Sequence, residues 1–303
     1  MSKKQETRSK KQRLILLDSH AIIHRAYHAL PEFSASSTGE PTGALYGLVA
    51  MLIKIINDLK PDYIVAAFDE SGPTFRHEAA ASYKAGRKEN EENLELQLKR
   101  APDIFKAFGI PVYSCSGFEA DDVIGTIVYE ITKPKSQIPN MEIIIASGDM
   151  DTMQLVDDKR VMVYTLKKGL NDTILYDEKK MFERFSFPPK NLIDYKGLRG
   201  DPSDNIMGVR GIGEKGATTL IQEFGTIENI YKNIKKVKPE RLKKLLEEGR
   251  EEALFSKTLA TIRVDAPINF KLPKGWRENF KLNNVLELFK TLGFRTLSER
   301  VKT

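Results

Sequence analysis

The amino-acid sequence predicts an α/β fold: a twisted, mainly parallel sheet flanked by helices, followed by a helical module. Three observations carry this. Short apolar runs alternate with segments of helical period up to about residue 188, the pattern of strand–helix–strand units. Three of the runs finish on or just before an aspartate: Asp18 after Leu14-Ile15-Leu16-Leu17, Asp69 after Tyr63 to Phe68, and Asp149 shortly after Ile143-Ile144-Ile145-Ala146. Past Pro188-Pro189 the alternation stops, and glycine turns join helical stretches over residues 190–263.

The elements follow in order. A first strand over 14–18 leads into an apolar helix from Ala21 to Leu30. The Ser-, Thr-, Gly- and Pro-rich segment Pro31 to Gly43 is a loop. A helix over Thr42 to Leu59 presents Leu45, Leu48, Leu52, Ile55 and Ile56 on one face, and Pro61 precedes the second strand. Between Ser71 and Arg100, aromatic and basic residues interleave before an acidic, helix-prone stretch. Lys99 to Gly109 predicts a helix, Val112-Tyr113 a short strand, and Ser116 to Ile131 another helix. The strand ending near Asp149 and a further one at Val161 to Thr165 complete the sheet. A boundary near 188 separates the α/β part from the helices, whose last predicted region includes Asn284 to Leu292.

Composition sets outer limits. The chain has 303 residues, 41% hydrophobic and 30% charged, within the range of soluble globular proteins. No apolar run approaches the ~20 residues that span a bilayer, and Met1 to Arg13 lacks the apolar core of a secretory signal. The single Cys115 has no partner for an intramolecular disulfide. The cytoplasm is the expected compartment. The net charge of +6 says little, because the basic tail 1–13 contributes +5 of it.

Nine carboxylates fall where an open parallel sheet binds its ligands, outside the carboxyl ends of the strands. They are Asp18, Asp69, Glu119, Asp121, Asp122, Asp149, Asp151, Asp201 and Asp204. Singly, most have a structural explanation. Ser116 with Glu119 fits a helix capping box, Asp121 and Asp122 suit a helix N-terminus, and the Asp-rich segments 147–151 and 200–205 suit turns. Jointly they repel one another unless protonated or bridged by cations, so metal-assisted hydrolysis is the leading chemistry.

Two further segments point to a phosphate-bearing substrate. Gly208-Val209-Arg210-Gly211-Ile212-Gly213 precedes a helix, and glycines allow close backbone approach to a phosphate beside free helical N–H groups. The alternative is a helix–helix turn with glycine caps. Lys215 extends the possible contact. Tyr83-Lys84-x-x-Arg87 combines an aromatic with two cations, suited to gripping phosphate or stacking a base. His20, His24, His28 and His77 show no metal-ligand spacing.

In order, the motifs L-I-L-L-D-S-H, V-A-A-F-D, F-R-H-E with Y-K-A-G-R, G-F-E-A-D-D, S-G-D-M-D and G-L-R-G-D-P-S-D-N-I-M-G-V-R-G-I-G-E-K resemble the 5′ nuclease of bacterial DNA polymerase I. They are also similar to flap endonucleases and phage 5′ exonucleases. The resemblance runs from about Leu14 to Phe270. It implies a PIN-like sheet, a helical gateway at about 71–100, and a helix-hairpin-helix DNA-binding module within 189–303. It further implies two divalent ions, magnesium or manganese. The first ion group would include Asp18, Asp69, Glu119 and Asp121, and the second Asp122, Asp149, Asp151, Asp201 and Asp204. Lys84 and Arg87 would act at the scissile phosphate and Tyr27 would stack near the reacting nucleotide. Arg25, Arg76, Tyr83, Gly208, Gly211, Gly213 and Lys215 would meet DNA, with a potassium ion on the hairpin carbonyls. Met207 and Arg210 depart from the prolines common in relatives.

The implied activity is two-metal hydrolysis of DNA phosphodiesters at 5′ ends, flaps or nicks, RNA primers included, by a monomer without membrane attachment. A related ribonuclease of the same sheet type would carry fewer acids and no glycine hairpin. A DNA-binding module with idle acids is the non-enzymatic alternative.

Overall fold

A computed structural model describes residues 11–35, 38–86, 90–138, 140–158, 160–168 and 172–301. The tail up to residue 10 and Arg87 lie outside the described residues. Strands β1 (Arg13–Asp18), β2 (Tyr63–Ala67), β3 (Val112–Tyr113), β4 (Glu142–Ala146), β5 (Val161–Lys168) and β6 (Asp172–Tyr176) form one sheet in the order β3-β2-β1-β4-β5-β6. The first five pair in parallel, and β6 runs antiparallel along β5. Sequence reading missed β6: it is a half-exposed edge strand whose apolar residues do not form a sustained alternation.

The helices are α1 (Ser19–Ala29), α2 (Gly43–Leu59), α3 (Phe75–Ala79), α4 (Glu92–Ala107), α5 (Ala120–Thr132), α6 (Glu178–Phe185), α7 (Leu192–Arg199), α8 (Glu214–Phe224), α9 (Ile227–Lys232), α10 (Glu240–Glu248), α11 (Arg250–Ala260), α12 (Trp276–Asn279), α13 (Leu282–Leu292) and α14 (Arg295–Val301). Helix α4 begins seven residues before the predicted Lys99 and runs through Pro102. That proline forgoes one backbone hydrogen bond; the buried stripe Leu94, Leu98, Ala101, Ile104 and Phe105 holds the helix together across it. Among the described residues no helix is long and apolar enough to cross a membrane.

Successive side chains of a strand point to opposite faces, and the two cores obey this. Leu14, Leu16, Val65, Ala67, Ile143 and Ile145 enter one core with α5 and with Leu192, Leu198, Leu220, Ile227 and Ala253 of the later helices. Ile15, Leu17, Ile64, Ala66, Ile144 and Ala146 enter the other, with α1, α2 and α4 and with Trp276, Val285, Phe289 and Leu297. The helices after residue 188 therefore cover both faces of the sheet. The parity also aims the acids. Asp18 continues the series Leu14, Leu16, and Asp69 continues Val65, Ala67, so both carboxylates leave the sheet on the face that α5 covers.

The segment between α7 and α8 closes on itself. Asp201 N–H donates to Ile206 O (2.7 Å) and Ile206 N–H to Asp201 O (2.9 Å). Gly200 (φ +80°) and Gly208 (φ +63°) lie back to back: a Cβ on Gly200 would sit 2.5 Å from Ile206 O, and one on Gly208 would strike the Gly200 backbone. Both glycines are buried. Gly208, expected to meet DNA, is placed against the Gly200 backbone, where its conformational freedom serves backbone packing. Gly208→Ala is expected to lower stability by roughly 2 kcal/mol or more, from left-handed strain plus the clash. A urea denaturation midpoint unchanged from wild type would refute this account.

Candidate functional site

The strand ends and the first turn of α5 enclose a cavity of about 250 Å³ whose lining includes Asp18, Asp69, Glu119, Asp121, Asp149, His20, His24 and Lys84. Five of the nine expected acids thus converge on one space.

Asp18 ends β1 and caps α1, accepting the Ala21 N–H (3.2 Å). Ser147 Oγ donates to its other oxygen (2.6 Å) and accepts the Asp149 N–H (2.8 Å), which links β1 to the turn after β4. Burial, with help from Asp149 and Asp69, pushes the Asp18 carboxyl up to about 7 against the lowering effect of Ser147. Asp69 accepts the Ala120 N–H (2.6 Å) and so tethers the end of β2 to the start of α5. The Asp69 N–H donates to His20 Nδ1 (3.2 Å). Burial lowers the His20 pKa although Asp69 and Glu95 oppose it.

In the first turn of α5, ligand atoms of Glu119, Asp121 and Asp122 lie within 4.8 Å of one another. The cation seated among them is Arg76. Its Nη1 meets Asp122 (2.7 Å) and Glu119 (3.0 Å), its Nη2 meets Asp122 (2.9 Å) and Thr261 O (3.0 Å), and its Nε meets Leu259 O (2.9 Å). All five N–H donors are used. Arg76 is 2% exposed and Asp122 fully buried. Two expected site residues are placed inside the protein here. Arg76 has its donors on protein acceptors and is buried away from solvent, and Asp122 faces the guanidinium rather than the cavity. The capping box of α5 also differs from the predicted Ser116–Glu119 pair: Asp122 Oδ2 accepts the Glu119 N–H (3.1 Å).

Tyr83 also turns inward. It is 3% exposed, and its hydroxyl donates between Glu119 (3.0 Å) and Asp204 (3.1 Å), so its ring has no free face for a base. Lys84 follows in a left-handed conformation (φ +55°), which costs a non-glycine residue roughly 1–3 kcal/mol. Its N–H donates to Asp204 O (2.9 Å) and its Nζ reaches Glu119 Oε1 (2.5 Å), at the cavity wall. Burial works against ionisation of Glu119, but Lys84 and Arg76 outweigh it and lower the Glu119 pKa.

Asp151 and Asp201 form a separate pair. Lys196, on α7, donates to Asp151 Oδ1 and to Asp201 Oδ2 (2.5 Å). Burial, reinforced by Asp149, raises the Asp151 carboxyl to about 7 despite the lysine. Asp201 is lowered against its burial by Lys196 and the donors of Ser203. Lys196 was not singled out from the sequence. It sits five residues before Asp201 with no motif to mark it, and only the return of α7 to the sheet edge brings it between the acids.

Tyr27 stands at the rim of an adjoining cavity of about 660 Å³, which shares His20, His24, Asp69 and Lys84 with the first and also takes in His28 and His77. Its hydroxyl donates to Glu91 (2.7 Å), the main reason its pKa is pushed up to about 12. Arg25 is half-buried beside Gly148. Gly211, Gly213 and Lys215 are exposed, with Gly213 at the N-cap of α8.

The donor set fits divalent cations. It consists of hard carboxylate oxygens. Among the described residues Asp121 Oδ1 is buried without a hydrogen-bond partner. Burial first, then Asp122, raises the Asp121 pKa well above normal even though Arg76 opposes it; a cation would reverse that shift.

Residues 13–186 match the family model of the 5′-3′ exonuclease N-terminal resolvase-like domain, and residues 187–282 that of the 5′-3′ exonuclease C-terminal SAM fold. The chain belongs to the 5′-3′ exonuclease family. DNA polymerase I of Bacillus caldotenax is 39% identical over 97% of this chain and 33% of that protein. DNA polymerase I of Chloroflexus aurantiacus is 40% identical over 95% of the chain and 30% of that protein. The 5′-3′ exonuclease chain described here thus spans about a third of the length of these relatives. Among solved structures, T5 5′-exonuclease with bound zinc superposes with a TM-score of 0.66 at 21% identity, covering 96% of this chain and 99% of that one. The catalytic core of Rad2 with DNA substrate gives 0.57 at 17%, covering 97% and 90%. These likenesses establish the fold: a mostly parallel sheet with a helical SAM-like part.

Removing the buried guanidinium leaves Asp122 uncompensated, which typically costs about 3–5 kcal/mol. Arg76→Ala is expected to lose that much in chemical denaturation, and Arg76→Met with Asp122→Leu to be more stable than the single variant. A loss below about 1 kcal/mol in Arg76→Ala would show that the pair is not what holds this corner.

Proposed function

We propose that this chain is a metal-dependent 5′-3′ deoxyribonuclease and 5′-flap endonuclease acting on DNA ends, flaps and nicks. The observation that carries this reading is the convergence of Asp18, Asp69, Glu119, Asp121 and Asp149 with Lys84 on one cavity at the carboxyl edge of the sheet.

One divalent ion, magnesium or manganese, would be held by Asp18, Asp69, Glu119 and Asp121, and a second by Asp151, Asp201 and Asp204, with Asp149 adjoining both groups. When bound, such ions supply Lewis-acid charge stabilisation and make an attacking water more acidic. The chain's own groups do the rest. Lys84, at the cavity wall on a fixed left-handed backbone, neutralises charge growing on the phosphate, with Arg87 assisting. Glu119 orients the Lys84 ammonium and Tyr83 orients Glu119. Tyr27 offers its ring to the nucleotide beside the cut. Arg25, and the exposed Gly211, Gly213 and Lys215 at the start of α8, grip backbone phosphates without reading bases, with a potassium ion on the hairpin carbonyls. RNA primers as substrates, a monomeric state and a cytoplasmic location belong to the same reading.

On a 5′-flap duplex with magnesium, Asp69→Ala is expected to lose at least a thousandfold in cleavage rate, and Lys84→Ala on the order of a hundredfold. Chelation should abolish cutting and magnesium restore it. Flap binding indifferent to the metal, with no product from wild type in either magnesium or manganese, would leave a binding module with idle acids. Full-rate cutting by Asp69→Ala would remove the metal assignment. Lys215→Ala should weaken binding evenly across sequences and reduce the salt slope of log K by about one; an unchanged slope places that lysine off the duplex.

A further inference from the structure

The two acid groups differ in how their charge is balanced. Around the strand-end cavity five carboxylates converge, and among the described residues Lys84 meets Glu119 while Arg76 meets Glu119 and approaches Asp121 (4.0 Å). Asp151 and Asp201, in contrast, share Lys196, which bonds one oxygen of each. Lys196 is 9% exposed and its α7 backbone is packed into the core between Tyr195 and Leu198, so this ammonium is a fixed component and not a surface side chain that has folded down. An ion entering between Asp151 and Asp201 must displace it.

We propose that Lys196 is the resident counter-ion of the Asp151–Asp201 pair, so that the free protein loads one divalent ion at the strand-end cavity and admits a second only by exchange with this ammonium. This rests on the two-ion reading above and deepens it. The exchange has a consequence for the substrate. A divalent ion leaves the acid pair neutral and the lysine unpaired, and an unpaired buried ammonium is best satisfied by an anion such as a phosphate. Loading of the second ion and capture of a phosphodiester then favour each other, since each takes one partner of the same salt bridge. Lys196 acts here as a positioning residue, distinct from Lys84 at the cavity wall.

The experiment is a Mn2+ binding isotherm on the whole chain without DNA, read by electron paramagnetic resonance of free Mn2+ and by calorimetry. Wild type is expected to bind one ion tightly and a second at least tenfold more weakly. Lys196→Met should bring the second affinity to within about threefold of the first while leaving the first unchanged. Lys196→Gln, which keeps a neutral donor on a shorter stem, should do the same if the methionine variant fails to fold, with circular dichroism reporting the fold of each. Adding an uncleavable phosphorothioate flap duplex should strengthen the second site in wild type by tenfold or more, and in Lys196→Met by much less. Two equivalent ions in wild type, or a second affinity untouched in a folded Lys196 variant, would overturn the proposal while leaving the two-ion reading intact. No bound Mn2+ in any form would overturn that reading itself.

Discussion

A charge withdrawn from water has to find a partner for every polar atom it carries, and Arg76 meets that demand in full. Its five donors reach Asp122, Glu119 and the carbonyls of Leu259 and Thr261. Those contacts join α3, the first turn of α5 and the C-terminal end of α11, segments up to 185 residues apart. The remaining site geometry hangs from this joint. With the first turn of α5 fixed, Glu119 and Asp121 are presented to the cavity, Asp69 caps Ala120, and Glu119 can hold Tyr83 and Lys84. A lysine has too few donors and the wrong shape for the same task.

The site therefore divides into two chemical populations that look alike in sequence. Asp122, Asp151, Asp201 and Asp204 meet protein side-chain donors away from the cavity lining, whereas Asp18, Asp69, Glu119, Asp121 and Asp149 line open space, Glu119 while also bonded by Arg76, Tyr83 and Lys84. Asp121, whose buried Oδ1 has no hydrogen-bond partner among the described residues, is the least compensated of them. This leaves the strand-end cavity as the place with the strongest demand for an external cation.

Much of the fold was legible because its signals are local and periodic. Apolar runs at β1, β2 and β4, each followed by an acid, announced a parallel sheet with a ligand edge. Strand β6 escaped because an edge strand has no need of a clean apolar alternation. The acids were legible as a set, but their partners were not. Arg76 and Tyr83 sit in a segment rich in aromatics and cations, which suggested DNA contact; burial turned both inward, a choice decided by Leu259, Thr261 and Asp204 far along the chain. Lys196 was invisible for the same reason. Gly208 was legible as a glycine that matters, and only the opposing Gly200 showed why.

The alternation along β1 and β2 has one more consequence. Sliding either strand by one residue would carry Asp18 or Asp69 to the opposite face, among Ile22, Leu45 and Phe105, and would expose Leu17 or Phe68 in exchange. An ionised carboxylate in that layer is costly enough to forbid the slipped arrangement. The residues that make the site hard to balance electrostatically thus act as index marks for assembly. A chain that folds at all has already set its acids in place.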